Sequence, residues 1–86
     1  MFKLSIMTPA GPAFEGEVNS LAAPGLEGAF EVYSSHMAML AALKPGSLTV
    51  RAVAGNTKLT ISDGILEVSP DHNVLVLADT AASVPA

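Results

Sequence analysis

Two histidines and a scatter of carboxylates offer most of the chemistry in this chain: His36 and His72, with Glu27 and Glu31 just upstream of the first. Two imidazoles and one carboxylate converging on a point make a facial metal site. His36, His72 and Glu31 therefore define one reading, a small β-barrel metal-binding module or enzyme. The spacing argues against it. The histidines are 36 residues apart and have no partner at i+4. His72 lies between Asp71 and Asn73, turn-forming residues around which an imidazole is ordinarily solvated. Ser34-Ser35-His36 puts hydroxyls beside an imidazole, but nucleophile and base meet through the fold rather than through adjacency, and neither serine has the glycine flanks of a nucleophile elbow. Pro24-Gly25-Leu26-Glu27-Gly28 has two glycines without the lysine or spacing of a phosphate loop. The absence of cysteine removes disulfides, thiolate nucleophiles and Cys-ligated zinc. No catalytic residue, metal, nucleotide or cofactor is expected.

Length and charge narrow the class further. Eighty-six residues make one domain with a thin core. Half the residues are apolar and only 5% aromatic, so Val, Leu, Ile, Ala and Met must build that core, which suits two packed layers. The net charge is −4. Residues 1–43 set Lys3 against Glu15, Glu17, Glu27 and Glu31; the remainder is nearly balanced. Four cations neutralise few phosphates, so neither nucleic acid nor an anionic bilayer surface is expected as a partner. No apolar run approaches the ~20 residues of a spanning helix, and the stretch after Lys3 is too short for a signal-peptide core. A chain of this kind is expected to be soluble and to face the cytoplasm.

The elements that must position any site read as strands. Phe2, Leu4 and Ile6 alternate with polar residues, as do Leu48 and Val50 and Leu59 and Ile61, while Leu66 and Val68 alternate with Ile65 and Glu67; period two marks a half-buried strand. Pro9 to Pro12 breaks the first strand, Glu15–Ala23 reads as a second extended piece, and Gly28–Val32 as a short strand. Turns are expected at Pro24-Gly25, Gly55-Asn56, Asp63-Gly64 and Pro70-Asp71. Val74–Leu77 is apolar throughout, the pattern of a central strand buried on both faces. Ser35–Leu43 has helical spacing, with Ser35 as a cap and Pro45-Gly46 as a stop. It is only about two turns long, too short to be stable alone, and we read it as strand. The prediction is all-β: a flattened two-sheet β-sandwich of roughly ten short strands over residues 1–86, with 82–86 a polar, flexible tail. Met37 and Met39 with Leu40 and Leu43 suit either core or a docking surface.

Four stretches in order, TPAGPAFEGEV, APGLEGAFEV, ALKPGSL and SDGILEVSPDHNVLVLADTA, resemble the N-terminal domain of the epsilon subunit of F-type ATP synthases, from about Leu4 to Ala81. Where that family usually shows Phe-Gly-Val-Leu-Pro-Gly-His-Ala-Pro-Leu-Leu, this chain has Phe30-Glu31-Val32-Tyr33-Ser34-Ser35-His36-Met37-Ala38-Met39-Leu40, keeping the histidine and losing both prolines and both glycines. The resemblance implies a non-catalytic rotor subunit of the central stalk. It would grip the gamma subunit, rest on the polar loops of the membrane c-ring, touch the rest of F1 only indirectly, and couple ion translocation to ATP synthesis. It also implies a peripheral location on the cytoplasmic or equivalent face of the energy-coupling membrane, without bilayer insertion. By position Thr8, His36 and Ala41 match the gamma-facing side. Leu26, Glu27, Gly28 and Ala29 match the ring-facing loop, where Glu31 would add charge facing the ring's arginines. Family members usually continue into a helical hairpin that can restrain hydrolysis or bind ATP; ending at Ala86, this chain is expected to lack it.

Overall fold

The computed structural model describes residues 1–84. Among them the chain forms ten strands: β1 (Phe2–Thr8), β2 (Gly11–Val18), β3 (Ser20–Gly25), β4 (Gly28–Tyr33), β5 (Met39–Leu43), β6 (Gly46–Ala52), β7 (Gly55–Ile61), β8 (Gly64–Val68), β9 (Val74–Ala78) and β10 (Ala81–Ser83). All pair antiparallel except β1 with β9, where Leu4 to Met7 run beside Val74 to Leu77 in parallel. The hydrogen-bonded path is β10-β7-β6-β3-β5-β8-β9-β1-β2, with β4 on the other edge of β3. It folds over at a single joint, where Gly25 pairs Leu43, to give the expected two-layer β-sandwich. One sheet is β4-β3-β6-β7-β10 and the other β5-β8-β9-β1-β2. The overall extents, 29 × 27 × 23 Å, suit two sheets about 10 Å apart with side chains on both sides.

The core is what the alternation predicts. Leu21, Val32, Leu48, Val50, Leu59 and Ile61 of the first sheet meet Leu4, Ile6, Val18, Leu66, Val68, Val74 and Val76 of the second, all buried. Phe2 is the one aromatic side chain fully in this layer. Each such side chain contributes about 1.5–3 kcal/mol by leaving water.

Several turns lie elsewhere than the sequence suggests. Glu15–Ala23 is two strands, β2 and β3, parted at Asn19, whose N–H donates to the Arg51 carbonyl at 2.7 Å. Pro24-Gly25 is not a turn but the end of β3. Gly25 is required there because a Cβ would sit 2.5 Å from the Gly28 carbonyl oxygen and 2.8 Å from the Phe30 ring. The chain reverses at Leu26-Glu27 instead, and Gly28 takes the positive φ of 138° that completes the reversal. The β6–β7 reversal is Val53-Ala54, with Gly55 at φ 135° as the first residue of β7. Asp63-Gly64 is not a hairpin, since β7 and β8 do not pair; the chain crosses there from one sheet to the other. Pro70-Asp71 turns as expected, closed by His72 N–H to Ser69 O and Ser69 N–H to Asn73 O, both 2.9 Å. Of the expected tail, residues 82 and 83 pair in β10 against β7 and the Val84 N–H reaches the Lys58 carbonyl at 2.8 Å; 85 and 86 lie outside the described residues.

Ser35–Leu43 is strand only from Met39 onward. Its first half is a loop in which Ser35 holds φ 63°, at the position where the resembled pattern has glycine. A Cβ in that region costs about 1–2 kcal/mol, against a smaller entropic gain in the unfolded chain when glycine is introduced. Ser35→Gly is therefore expected to raise unfolding stability by about 0.5–1 kcal/mol, measured as a higher denaturant midpoint at unchanged slope. A lower midpoint would mean that the loop tolerates the serine without strain.

Candidate protein-docking surface

The two outer faces of the sandwich differ in chemistry. On the first sheet, Ser47, Thr49, Arg51, Lys58, Thr60, Glu31 and Tyr33 point outward along β6, β7 and β4. Glu31 accepts from the Arg51 guanidinium at 3.3 Å and from the Tyr33 hydroxyl at 2.6 Å. That hydrogen bond, helped by the Glu31 charge, raises the Tyr33 pKa above its ordinary value of 10.0. This polar face is suited to water.

The second sheet turns outward a face of the opposite kind. Strand parity and register put Ala42, Ile65, Leu77, Met7 and Pro12 side by side in one row across β5, β8, β9, β1 and β2. The next row is Leu40, Glu67, Leu75, Ser5 and Glu15. Leu40 is 71% exposed, Leu77 51% and Ile65 46%. Val74–Leu77 is thus apolar on both faces, as the sequence shows, but only Val74 and Val76 are buried; the other face of β9 lies open. A contiguous apolar sheet face rimmed by polar residues marks a place where something else packs. The sequence contains this signal as apolar residues at both parities, and it is misread when burial is the only explanation allowed for it.

The residues matched by resemblance fall in several places. Thr8 closes the β1–β2 turn, donating to Gly11 O at 3.0 Å and accepting from Ala10 N–H at 3.2 Å. His36 sits at the opposite end of the second sheet. There its Nδ1 lies 2.8 Å from Met37 O, and its carbonyl lies 3.0 Å from Nδ1 of His72, itself at φ 67°. The three residue steps from Leu4 to Met7 along β1 separate these ends by roughly 10 Å at strand rise. Ala41 lies between them, opposite Leu66 and on the inward side of β5. Leu26, Glu27, Gly28 and Ala29 form the exposed tip of the β3–β4 hairpin, fixed to β5 by Leu26 N–H to Ala42 O at 2.9 Å. Glu31 is not with them. It pairs with Ala22 in mid-strand and is engaged by Arg51, so it adds no free charge to the tip. His36 and His72 do meet, but through a main-chain carbonyl, with Glu31 on the other sheet; among the described residues no three metal-ligating side chains converge. At the β8–β9 turn the Ser69 hydroxyl donates to Asp71 and holds its carboxyl below the usual range.

A two-layer sandwich with one solvated face and one apolar face belongs to the class of small β-sandwich domains whose open face suits packing against another surface. Residues 1–84 match the model of the family described as ATP synthase, Delta/Epsilon chain, beta-sandwich domain, and the chain belongs to that family. Among its relatives are the ATP synthase epsilon chain of Rhodopseudomonas palustris strain TIE-1, 40% identical over 84 residues, and that of Nitrobacter winogradskyi, 40% identical over 83. These matches take in 98% and 96% of this chain but 62% and 61% of the relatives, so the chain spans about three fifths of their length. A chain in the Euglena gracilis mitochondrial ATP synthase OSCP/F1/c-ring structure shares the fold at TM-score 0.88 and 23% identity, over 95% of this chain and 52% of that one. A chain of the Tetrahymena thermophila mitochondrial ATP synthase central stalk/c-ring does so at 0.80 and 20%, over 94% and 65%.

Proposed function

We propose that this β-sandwich is the stalk-forming part of a non-catalytic central-stalk subunit of F-type ATP synthase. It joins the gamma subunit to the c-ring and so couples ion translocation to ATP synthesis, as a peripheral component on the F1 side of the membrane. The carrying observation is the apolar outer face of the second sheet. A small domain that turns Leu40, Ile65 and Leu77 to solvent, with Leu75 half-buried beside them, is completed by a partner. The names of the relatives and the stalk and ring assemblies holding the similar chains support the choice of partner. In this reading gamma lies across the outer face between the Thr8 end and the His36 end, with Ala41 beneath Leu40 and Ala42. A standard interface, about 800 Å² per partner, is wide enough to span both ends. The β3–β4 tip, with Leu26, Glu27, Gly28 and Ala29, meets the polar loops of the ring, Glu27 supplying the charge. The test is co-elution of the chain with the cognate gamma subunit on a sizing column. A one-to-one complex at micromolar concentration is expected; separate elution of the two chains refutes the reading.

A further inference from the structure

Glu67 is the carboxylate set between leucines on the apolar face, whereas Glu15 of the same row lies out on the edge strand β2. Glu67 lies in register with Leu40 of β5 on one side and Leu75 of β9 on the other, and Ile65 precedes it on the same face of β8. Ser69 follows it at the β8–β9 turn. Among the described residues the ion pair found is Arg51 with Glu31, on the far sheet. Lys3 borders the same shallow groove as Glu67, with Ser5, Ser69 and Asn73, but no ion pair joins the two.

While the face is wet, an exposed carboxylate costs nothing. Once a partner covers Leu40, Leu75 and Leu77, the same carboxylate is desolvated among leucines. An unpaired buried charge carries a penalty of several kcal/mol, which a well-placed opposite charge offsets. A purely apolar occupant therefore fits this face badly. A second copy of the chain fits worse, because a two-fold axis near the centre of the patch brings Glu67 against its own counterpart. Like charges across an interface suppress wrong partners.

Resting on the reading above, we infer that Glu67 is the specificity-determining residue of the docking face and that it selects a partner surface that is apolar with one Lys or Arg side chain set into it. For gamma, this means a single cation that seats between Leu40 and Leu75 and fixes the register of the two subunits.

Titration calorimetry of the chain against the cognate gamma subunit, at fixed ionic strength, tests this. Glu67→Gln keeps the shape and removes the charge; Glu67→Lys reverses it. Affinity is expected to fall about 10-fold for Glu67→Gln and about 100-fold for Glu67→Lys, with thermal melts of the isolated variants close to the parent. One Lys→Glu or Arg→Glu substitution in gamma should restore at least 10-fold of the loss to Glu67→Lys and none to Glu67→Gln. If both variants bind as the parent does while Leu40→Asp abolishes binding, the inference is overturned and the docking face stands. A loss for Glu67→Lys alone, unrescued by any charge reversal in gamma, overturns it too, since that is crowding rather than pairing. A parent chain that does not bind gamma overturns the functional reading and the inference with it.

Discussion

Leu40→Asp combined with Leu77→Asp is expected to abolish gamma binding while leaving the domain folded. Both side chains are more than half exposed on the outer face of the second sheet, Leu40 at 71% and Leu77 at 51%. Neither supports the core, and surface changes outside caps, cores and networks usually move stability by about 0.5 kcal/mol. In a complex the balance inverts. Two leucines each forfeit about 1.5–3 kcal/mol of burial, and two new carboxylates must be desolvated in an apolar seam. Affinity should fall by at least about 1,000-fold. Circular dichroism and a thermal melt establish the fold, and sedimentation with gamma reads the binding. A folded double variant that still sediments with gamma would remove the apolar face as the docking surface.

The second large effect is structural. Gly64→Val is expected to prevent folding. Gly64 opens β8 opposite Ala78, so closely that a Cβ would collide with the Leu77 carbonyl oxygen and lie 3.1 Å from Ala78 Cα. Both obstacles are backbone in the neighbouring strand β9, which cannot move without breaking its ladders to β8 and β1. The overpacking of a core by one methyl or methylene group already costs about 1–3 kcal/mol, and a clash with fixed backbone costs more. A domain this small has little stability to lose. A purified Gly64→Val protein with a cooperative melt near that of the parent would show that β8 and β9 can part at that rung.

The regular part of this fold was legible because it is local. Phe2-Leu4-Ile6, Leu48-Val50, Leu59-Ile61 and Leu66-Val68 announce their strands and their buried faces in spacing alone. Turn positions were legible only to within two residues. Gly11, Gly28 and Gly55 do not occupy their reversals; each follows one, as the first residue of the next strand at φ 127°, 138° and 135°. A Gly-X pair therefore reads as the turn when it is the turn's exit. Gly64 is different in kind, because its necessity comes from Leu77 and Ala78, residues that no local pattern connects to it. The Arg51–Glu31 pair likewise spans 20 residues and reaches across β3, so Glu31 looked free in the sequence. The docking face was half legible. Its residues stood out as apolar, but a lone chain offers no way to separate a buried face from one that awaits a partner until the register is known. The resemblance, rather than periodicity, named the partner.

The parallel pairing of β1 with β9 sets an order in time. β1 is synthesised before every other described strand, and its edges need β2, which follows at once, and β9, the ninth of the ten. Until residues 74–78 emerge, Leu4 and Ile6 have half a sheet to lie in and Leu66 has no neighbour on one side. The second sheet, and with it the whole apolar face, is complete only when β9 joins β8 to β1. In the proposed stalk role, the chain presents its whole docking face only after β9 has been made.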